Sequence, residues 1–224
     1  MDNNEMIILF FIVLILISVF SETVSVIITK YKLKLLEEMY GPESFITVDN
    51  KMLGDQYNLT YGELTGAGME KIVKYLESNS INPNTRTFID LGCGNGKTLA
   101  YAAIYGFKQA RGAEIVEARH AYAEKKRMQL EERMRERVQL TKSDIFNLPK
   151  DYFPPGSVVF VSNLVFPEET NQKLIQFLSA ITPSDVIIIV SKIPNNLYKL
   201  KLVEKISVPM SWSFKSDCYV LAHK

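Results

Sequence analysis

At 224 residues, the chain has room for one domain with a substantial core and a short appendage, since domains run to roughly 100–200 residues. Its 26 basic side chains nearly balance 25 acidic ones, which excludes a global field that would draw it to nucleic acid or to acidic substrates. The cysteines Cys93 and Cys218 and the histidines His120 and His223 have neither C-x-x-C nor metal-ligand spacing, so the chain reads as built for a reducing compartment and without a zinc site.

From Met6 to Phe20 every position except Ser18 is strongly apolar, and after Ser21-Glu22-Thr23 the pattern resumes through Val24, Val26, Ile27 and Ile28. As a helix this stretch spans a bilayer, which takes about 20 residues. Residues 1–30 are therefore expected to form a membrane anchor, with Glu22 as its weak point because a carboxylate at that depth is costly unless it reaches the interface. Lys30, Lys32 and Lys34 follow the apolar run, so the positive-inside bias makes this a single-pass protein with its folded domain facing the cytosol. A cleaved signal peptide is the rival reading, but Asp2 and Glu5 stand where its positive leading region belongs. A buried core helix would need a larger partner surface than so small a domain offers.

Residues 31–58 read as a connector, with Gly41-Pro42 breaking any helix that runs through Lys34–Glu38. The folded domain is expected over 59–224. Met69, Ile72, Val73 and Leu76 have the spacing of a helix ending near Asn79. Strands are expected at Thr87–Leu91, Arg111–Ile115, Val138–Lys142, Ser157–Ser162 and Asp185–Ser191, and helices at Lys97–Tyr105, Val116–Arg135 and Glu169–Ala180. This alternation implies a parallel sheet with right-handed crossovers and helices on both faces. Leu202–Val208 and Cys218–Ala222 have no helix between them, which predicts an antiparallel pair closing the sheet.

Phe88-Ile89-Asp90-Leu91-Gly92-Cys93-Gly94-Asn95-Gly96 is an apolar strand running into a glycine-spaced turn and then a helix. Gly92, Gly94 and Gly96 allow a tight bend and let a ligand approach the main chain without interference from a Cβ. Asp90 at the strand tip is placed to accept hydrogen bonds from a cationic end of that ligand, because ligands in open α/β sheets bind beyond the carboxyl ends of the strands. Glu114 ends the next strand a little over 20 residues on, the distance at which an acidic residue reaches ribose hydroxyls. After the third strand, Asp144 is placed to accept from an adenine amino group and Ile145 to pack on the ring face; an acid following a strand also reads as a plain turn residue, and its place after Asp90 and Glu114 favours the first reading. Lys97 follows the glycines where a P-loop needs Lys-Ser or Lys-Thr, so phosphate binding is disfavoured.

Tyr61-Gly62-Glu63-Leu64-Thr65, Asp90–Gly96, Gly112-Ala113-Glu114, Val159–Phe166, and Ser211-Trp212-Ser213 followed by Tyr219 occur in an order and at spacings that resemble the Dot-one family, the histone lysine methyltransferases without a SET domain. The similarity covers roughly 57–224. It implies a Rossmann-like class I methyltransferase with a mainly parallel seven-stranded sheet and an antiparallel closing strand, S-adenosylmethionine as cofactor, and a protein lysine as acceptor. By the same resemblance Tyr61, Glu63 and Thr65 belong to a loop over the methionine part of the cofactor. Asp90, Gly92, Gly94, Gly96, Glu114, Asp144 and Ile145 hold its other groups, Asn163 faces the transferring methyl, and Phe166, Trp212 and Tyr219 wall an apolar channel for the incoming amine. An apolar channel suits that chemistry, because a lysine must shed its proton and its water before attack.

The family usually carries paired asparagines at the strand tip; here the first is Ser162. Small lysine methyltransferases anchored in mitochondrial membranes share the general plan, and the expected anchor resembles theirs, which points to a lysine target at or near a membrane. Methylation of a base or glutamine uses Asn or Asp before Pro-Pro-Tyr at this tip, and Asn163-Leu164-Val165-Phe166 lacks both prolines, so nucleic acid is disfavoured. A small-molecule acceptor and a non-enzymatic, membrane-tethered binding module stay open, the latter with the charged helix from Glu124 to Arg137 as its partner surface.

Overall fold

In a computed structural model, residues 3–41 and 62–224 are described. The chain divides into two units, Met1–Met39 and Tyr40–Lys224.

The first unit is a helix, α1 (Asn3–Tyr40). Within Phe11–Tyr40 its most apolar 18 residues have a mean hydropathy of 2.5 and none of them is buried; Phe11, Ile15, Leu16, Ile17, Phe20 and Ile27 all stand exposed. A helix apolar all round has no solvent-facing stripe, as expected for one whose surroundings are lipid or another apolar surface. The interruption at Ser21-Glu22-Thr23 does not break it, and the Thr23 hydroxyl donates to the Val19 carbonyl at 2.9 Å, so that polar group is satisfied within the helix.

The second unit is a seven-stranded sheet in the order β3-β2-β1-β4-β5-β7-β6. Its elements are α2 (Gly66–Ser78), β1 (Thr87–Leu91), α3 (Lys97–Ile104), β2 (Gln109–Glu114), α4 (Glu117–Arg127), α5 (Glu132–Arg135), β3 (Val138–Lys142), β4 (Val158–Val161), α6 (Glu168–Ile181), β5 (Ile187–Val190), β6 (Leu200–Met210) and β7 (Ser213–His223). Strands β1 to β5 pair in parallel, while β7 lies antiparallel to both β5 and β6. The sheet is thus mainly parallel and closed by an antiparallel hairpin, the architecture of class I methyltransferases.

The order reverses direction between β1 and β4. Right-handed crossovers then put α3 and α4 on one face and α6 on the other. On the α6 face, Leu174, Ile175 and Leu178 bury against Ile89, Leu91, Val159, Val161, Ile188 and Val190. On the opposite face, Phe88 lies 5.2 Å from Phe107 and 6.3 Å from Phe160 between ring centroids. Each strand thus sends alternate side chains to different layers, as the pleat requires.

Two expected elements differ. Helix α1 runs through Tyr40, so the first ten residues of the expected connector 31–58 are helical, while 42–58 lie outside the described residues. The helix foreseen over Val116–Arg135 is two, α4 and the single turn α5, because Glu131 adopts an extended conformation (φ −50, ψ 144). Leu130 and Met134 are buried on either side of the break. The closing strands are also longer than expected, at 11 residues each.

Candidate active site

A cleft opens at the carboxyl ends of β1 and β4, where the strand order reverses. Gly62, Glu63, Leu64, Asp90, Gly92, Cys93, Thr98, Phe160 and Ser162 line it, around an empty volume of about 240 Å³ that includes open solvent. This is the crevice where open α/β sheets bind ligands.

The floor is the turn after β1. Gly92, Gly94 and Gly96 all have positive φ, of 87°, 57° and 78°, a region that side chains with a Cβ rarely adopt. A Cβ built on Gly92 would meet nothing within 4 Å, so the main chain there lies open to a ligand. Glu114 braces the same turn. One of its carboxylate oxygens accepts from the Gly94 amide at 2.9 Å and the other from the Val116 amide at 2.8 Å. The Gly92 and Cys93 amides both donate to the Ala113 carbonyl, at 2.8 and 3.0 Å.

Three carboxylates from three segments bury here: Asp90 and Glu114, each 4% exposed, and Glu63, 8% exposed. Burial pushes the Asp90 carboxyl up to about 8. A hydrogen bond from Thr98 pulls the other way, and the neighbouring Glu114 and Glu63 charges raise it further. Glu63 accepts a hydrogen bond from the Asn95 side-chain amide, and the Asn95 Oδ1 accepts from the Lys97 amide at 2.9 Å, capping the start of α3. Carboxyl groups gathered at the mouth of a cleft suit a ligand that brings a positive charge.

The roof is the segment before α2. Thr65 caps that helix, its hydroxyl accepting from the Gly68 amide at 3.0 Å. Tyr61, also expected in this loop, lies outside the described residues. Asp144 and Ile145 follow β3, two strands away from β1. There the Asp144 carboxylate accepts from the Phe146 amide at 3.0 Å, and Ile145 packs against the α6-side core; neither lines the cleft, and Glu114 stands behind the turn and not in the lining.

The structure differs most from expectation at Asn163. Rather than facing a reacting methyl, it is wholly buried, and its side chain donates to Asn171 Oδ1 at 2.7 Å and the Lys192 carbonyl at 2.8 Å. Its Oδ1 accepts from the Ser191 and Lys192 amides, at 2.8 and 3.1 Å. The amide joins the ends of β4 and β5 to α6, and the cleft wall is Ser162. The reason is parity: Asp90 pairs with Phe160, Ser162 follows Phe160 onto the cleft face, and Asn163 follows Val161 onto the α6 face. The alternation Phe88, Asp90 against Phe160, Ser162 was the sequence signal for it. Thr98, Asn95 and Cys93, also absent from the expected set, come from the turn and the first helical residues after it.

The expected aromatic channel is distributed. Phe166 and Tyr219 are partly buried against the α6-side core. Trp212 stands on the β6–β7 turn, 42% exposed, with its ring where a Cβ on Gly62 would fall.

A family model described as "Histone methylation protein DOT1" matches residues 51–213. Among curated proteins no match to the chain is found. Solved structures of the same fold include magnesium protoporphyrin IX methyltransferase (ChlM) from Synechocystis PCC 6803 with bound SAM, at 15% identity and a TM-score of 0.55 over 89% of this chain and 97% of that one. A putative methyltransferase, yhhF, from Escherichia coli is 16% identical, with a TM-score of 0.52 over 76% of this chain and 90% of its own. The methyltransferase domain of bacterial-CtHen1-C is 20% identical, with a TM-score of 0.53 over 70% of this chain and 97% of its own. At these identities the likeness is one of fold.

Proposed function

Because the chain belongs to the DOT1 family of histone methylation proteins, we propose that it is an S-adenosylmethionine-dependent methyltransferase acting on a lysine side chain of a protein at a membrane. The observation that carries this reading is the meeting of Asp90, Glu63 and Glu114, all nine-tenths or more buried, around a glycine turn whose backbone is open to a ligand.

The residues fit the cofactor. Asp90 and Glu63 in the cleft wall hold its cationic amino end, and Gly92 leaves room for close approach of its backbone-contacting part. Glu114 already spends one lone pair of each oxygen on the Gly94 and Val116 amides, and a carboxylate has others with which to accept two vicinal hydroxyls. Bound in this cleft, the cofactor supplies an electrophilic methyl on a sulfonium. The protein's part is to align the amine and strip its water, with no strong base required in contact with it. Ser162 stands on the cleft wall and Trp212 lies against Gly62, while Phe166 and Tyr219 pack against the α6-side core.

The membrane part rests on α1. Its exposed apolar surface, its length and the three lysines that follow its apolar half make it a single-pass anchor with the catalytic unit in the cytosol. A membrane-tethered enzyme meets membrane-associated acceptors at raised effective concentration.

The test is transfer of a labelled methyl group from the cofactor to membrane and soluble lysates by the full chain, with label scored as protein, nucleic acid or small solute. Acid-stable label on protein lysine in the membrane fraction supports the reading. Label confined to nucleic acid or small solutes overturns the acceptor, and failure of the full chain to bind the cofactor overturns the enzyme.

A further inference from the structure

The roof of the cleft is held by a part of the chain remote in sequence. The Glu63 amide donates to the Ser211 hydroxyl at 2.9 Å, and the Ser211 amide donates back to the Glu63 carbonyl at 2.8 Å. Leu64 forms an antiparallel bridge with Met210, and the Thr65 hydroxyl donates to the Pro209 carbonyl at 2.9 Å. Residues 63–65 thus dock on the tip of the β6–β7 hairpin, with Leu64 in one isolated bridge. Next to the same contact, the Trp212 ring lies on Gly62, where any Cβ would collide with it. Glu63 in turn reaches across to Asn95 on the cofactor turn.

We infer that the hairpin tip is a clasp linking the two halves of the site: Ser211 is a positioning residue that sets Glu63 against the cofactor, and Trp212 senses whether the cofactor is there. This rests on the reading of the cleft as the cofactor site. The physical argument is one of linkage. Residues 63–65 are held by the Glu63–Asn95 bond and the Thr65 cap of α2 as well as by this bridge, and the bridge is what ties the position of Glu63 to Ser211 and the ring beside it. Coupling between two sites is reciprocal in free energy. Firm placement of Glu63 on a bound cofactor therefore also firms Ser211 and the hairpin tip on which Trp212 sits. Ser211 is exposed, so its hydroxyl contributes as an ordinary solvent-accessible hydrogen bond and not as a core contact.

Trp212 is the single tryptophan of the chain, which makes its emission a direct reporter. The full chain in lipid nanodiscs is titrated with S-adenosylhomocysteine, followed by calorimetry and by tryptophan emission. In the wild type, the heat and the emission change are expected to saturate together. Ser211→Ala is expected to weaken affinity about fivefold, the worth of one such hydrogen bond, and to shrink the emission change at saturation; Ser211→Thr, which keeps the acceptor, is expected to restore both. Should Ser211→Ala fail to fold, hydrogen exchange on the wild type decides: the ligand must slow the Glu63 and Ser211 amides together. Normal affinity in Ser211→Ala, binding heat with no emission change, or protection of Glu63 without Ser211 would each overturn the clasp while leaving the cofactor site intact. A wild type that gives no heat at all removes the cofactor site, and the clasp with it.

Discussion

The side-chain amide of Asn163 donates to Asn171 Oδ1 at 2.7 Å, joining the end of β4 to the first turns of α6. Together with its bonds to Ser191 and Lys192, this makes Asn163 a fully satisfied buried polar node, a feature that is costly to disrupt. Asn163→Ala is expected to lower unfolding stability by about 3 kcal/mol, since it leaves several buried groups unpaired. Ser162→Phe fills the cleft instead; it is expected to abolish cofactor binding while stability stays within about 1 kcal/mol of wild type. Denaturant unfolding and calorimetry separate the two. An Asn163→Ala protein of normal stability that has lost only turnover would mean that the amide reaches the reacting group.

Burial of the Asp90 carboxyl costs stability. Its carboxyl is raised from 3.8 to about 8 in the folded state, so the native protein holds a proton that the unfolded chain releases. On that account the ligand-free protein loses stability as pH climbs from 3.8 towards 8 and is flat in this respect above it. Asp90→Asn keeps the shape and removes the charge. It is expected to bind no cofactor, yet to melt higher than wild type at pH 8 and to lose the downward slope. A lower melting point at every pH would refute this account of Asp90.

The same shift predicts proton release. A cationic ligand favours the ionised carboxylate, so at pH 7 binding should expel about one proton from a group that titrates near 8. Calorimetry in buffers of different ionisation enthalpy reads that number directly. A value of zero, or uptake, would place the cationic end away from Asp90.

Gly112 on β2 backs the cofactor turn. A Cβ there would fall 2.6 Å from Cys93 Sγ and 2.6 Å from Leu99 Cδ1, both in buried surroundings. Gly112→Ala is therefore an overpacking change, expected to cost roughly 1–3 kcal/mol and to weaken cofactor binding by pushing the turn outward. Wild-type affinity and stability together would show that the turn has slack.

The sequence by itself determined whatever depends on neighbours along the chain. A β-branched and aromatic run entering a glycine-spaced turn implies one local geometry, and the positive φ at Gly92, Gly94 and Gly96 is what that spacing demands. The acids at Asp90 and Glu114 were legible because a parallel sheet puts strand ends at one edge. The break between α4 and α5 was not, since residues 124–135 are good helix formers throughout and nothing local marks Glu131 as the point where the helix stops. Nor was the choice between Ser162 and Asn163: which side of a strand faces the cleft is fixed by pairing with Phe160 opposite Asp90, and a one-residue change of parity exchanges the two. The hold of Ser211 on Glu63 spans 148 positions, and nothing local encodes a contact that exists only once the hairpin has closed over the sheet. Local chemistry names the groups that bind, and only the folded chain decides which of them meet.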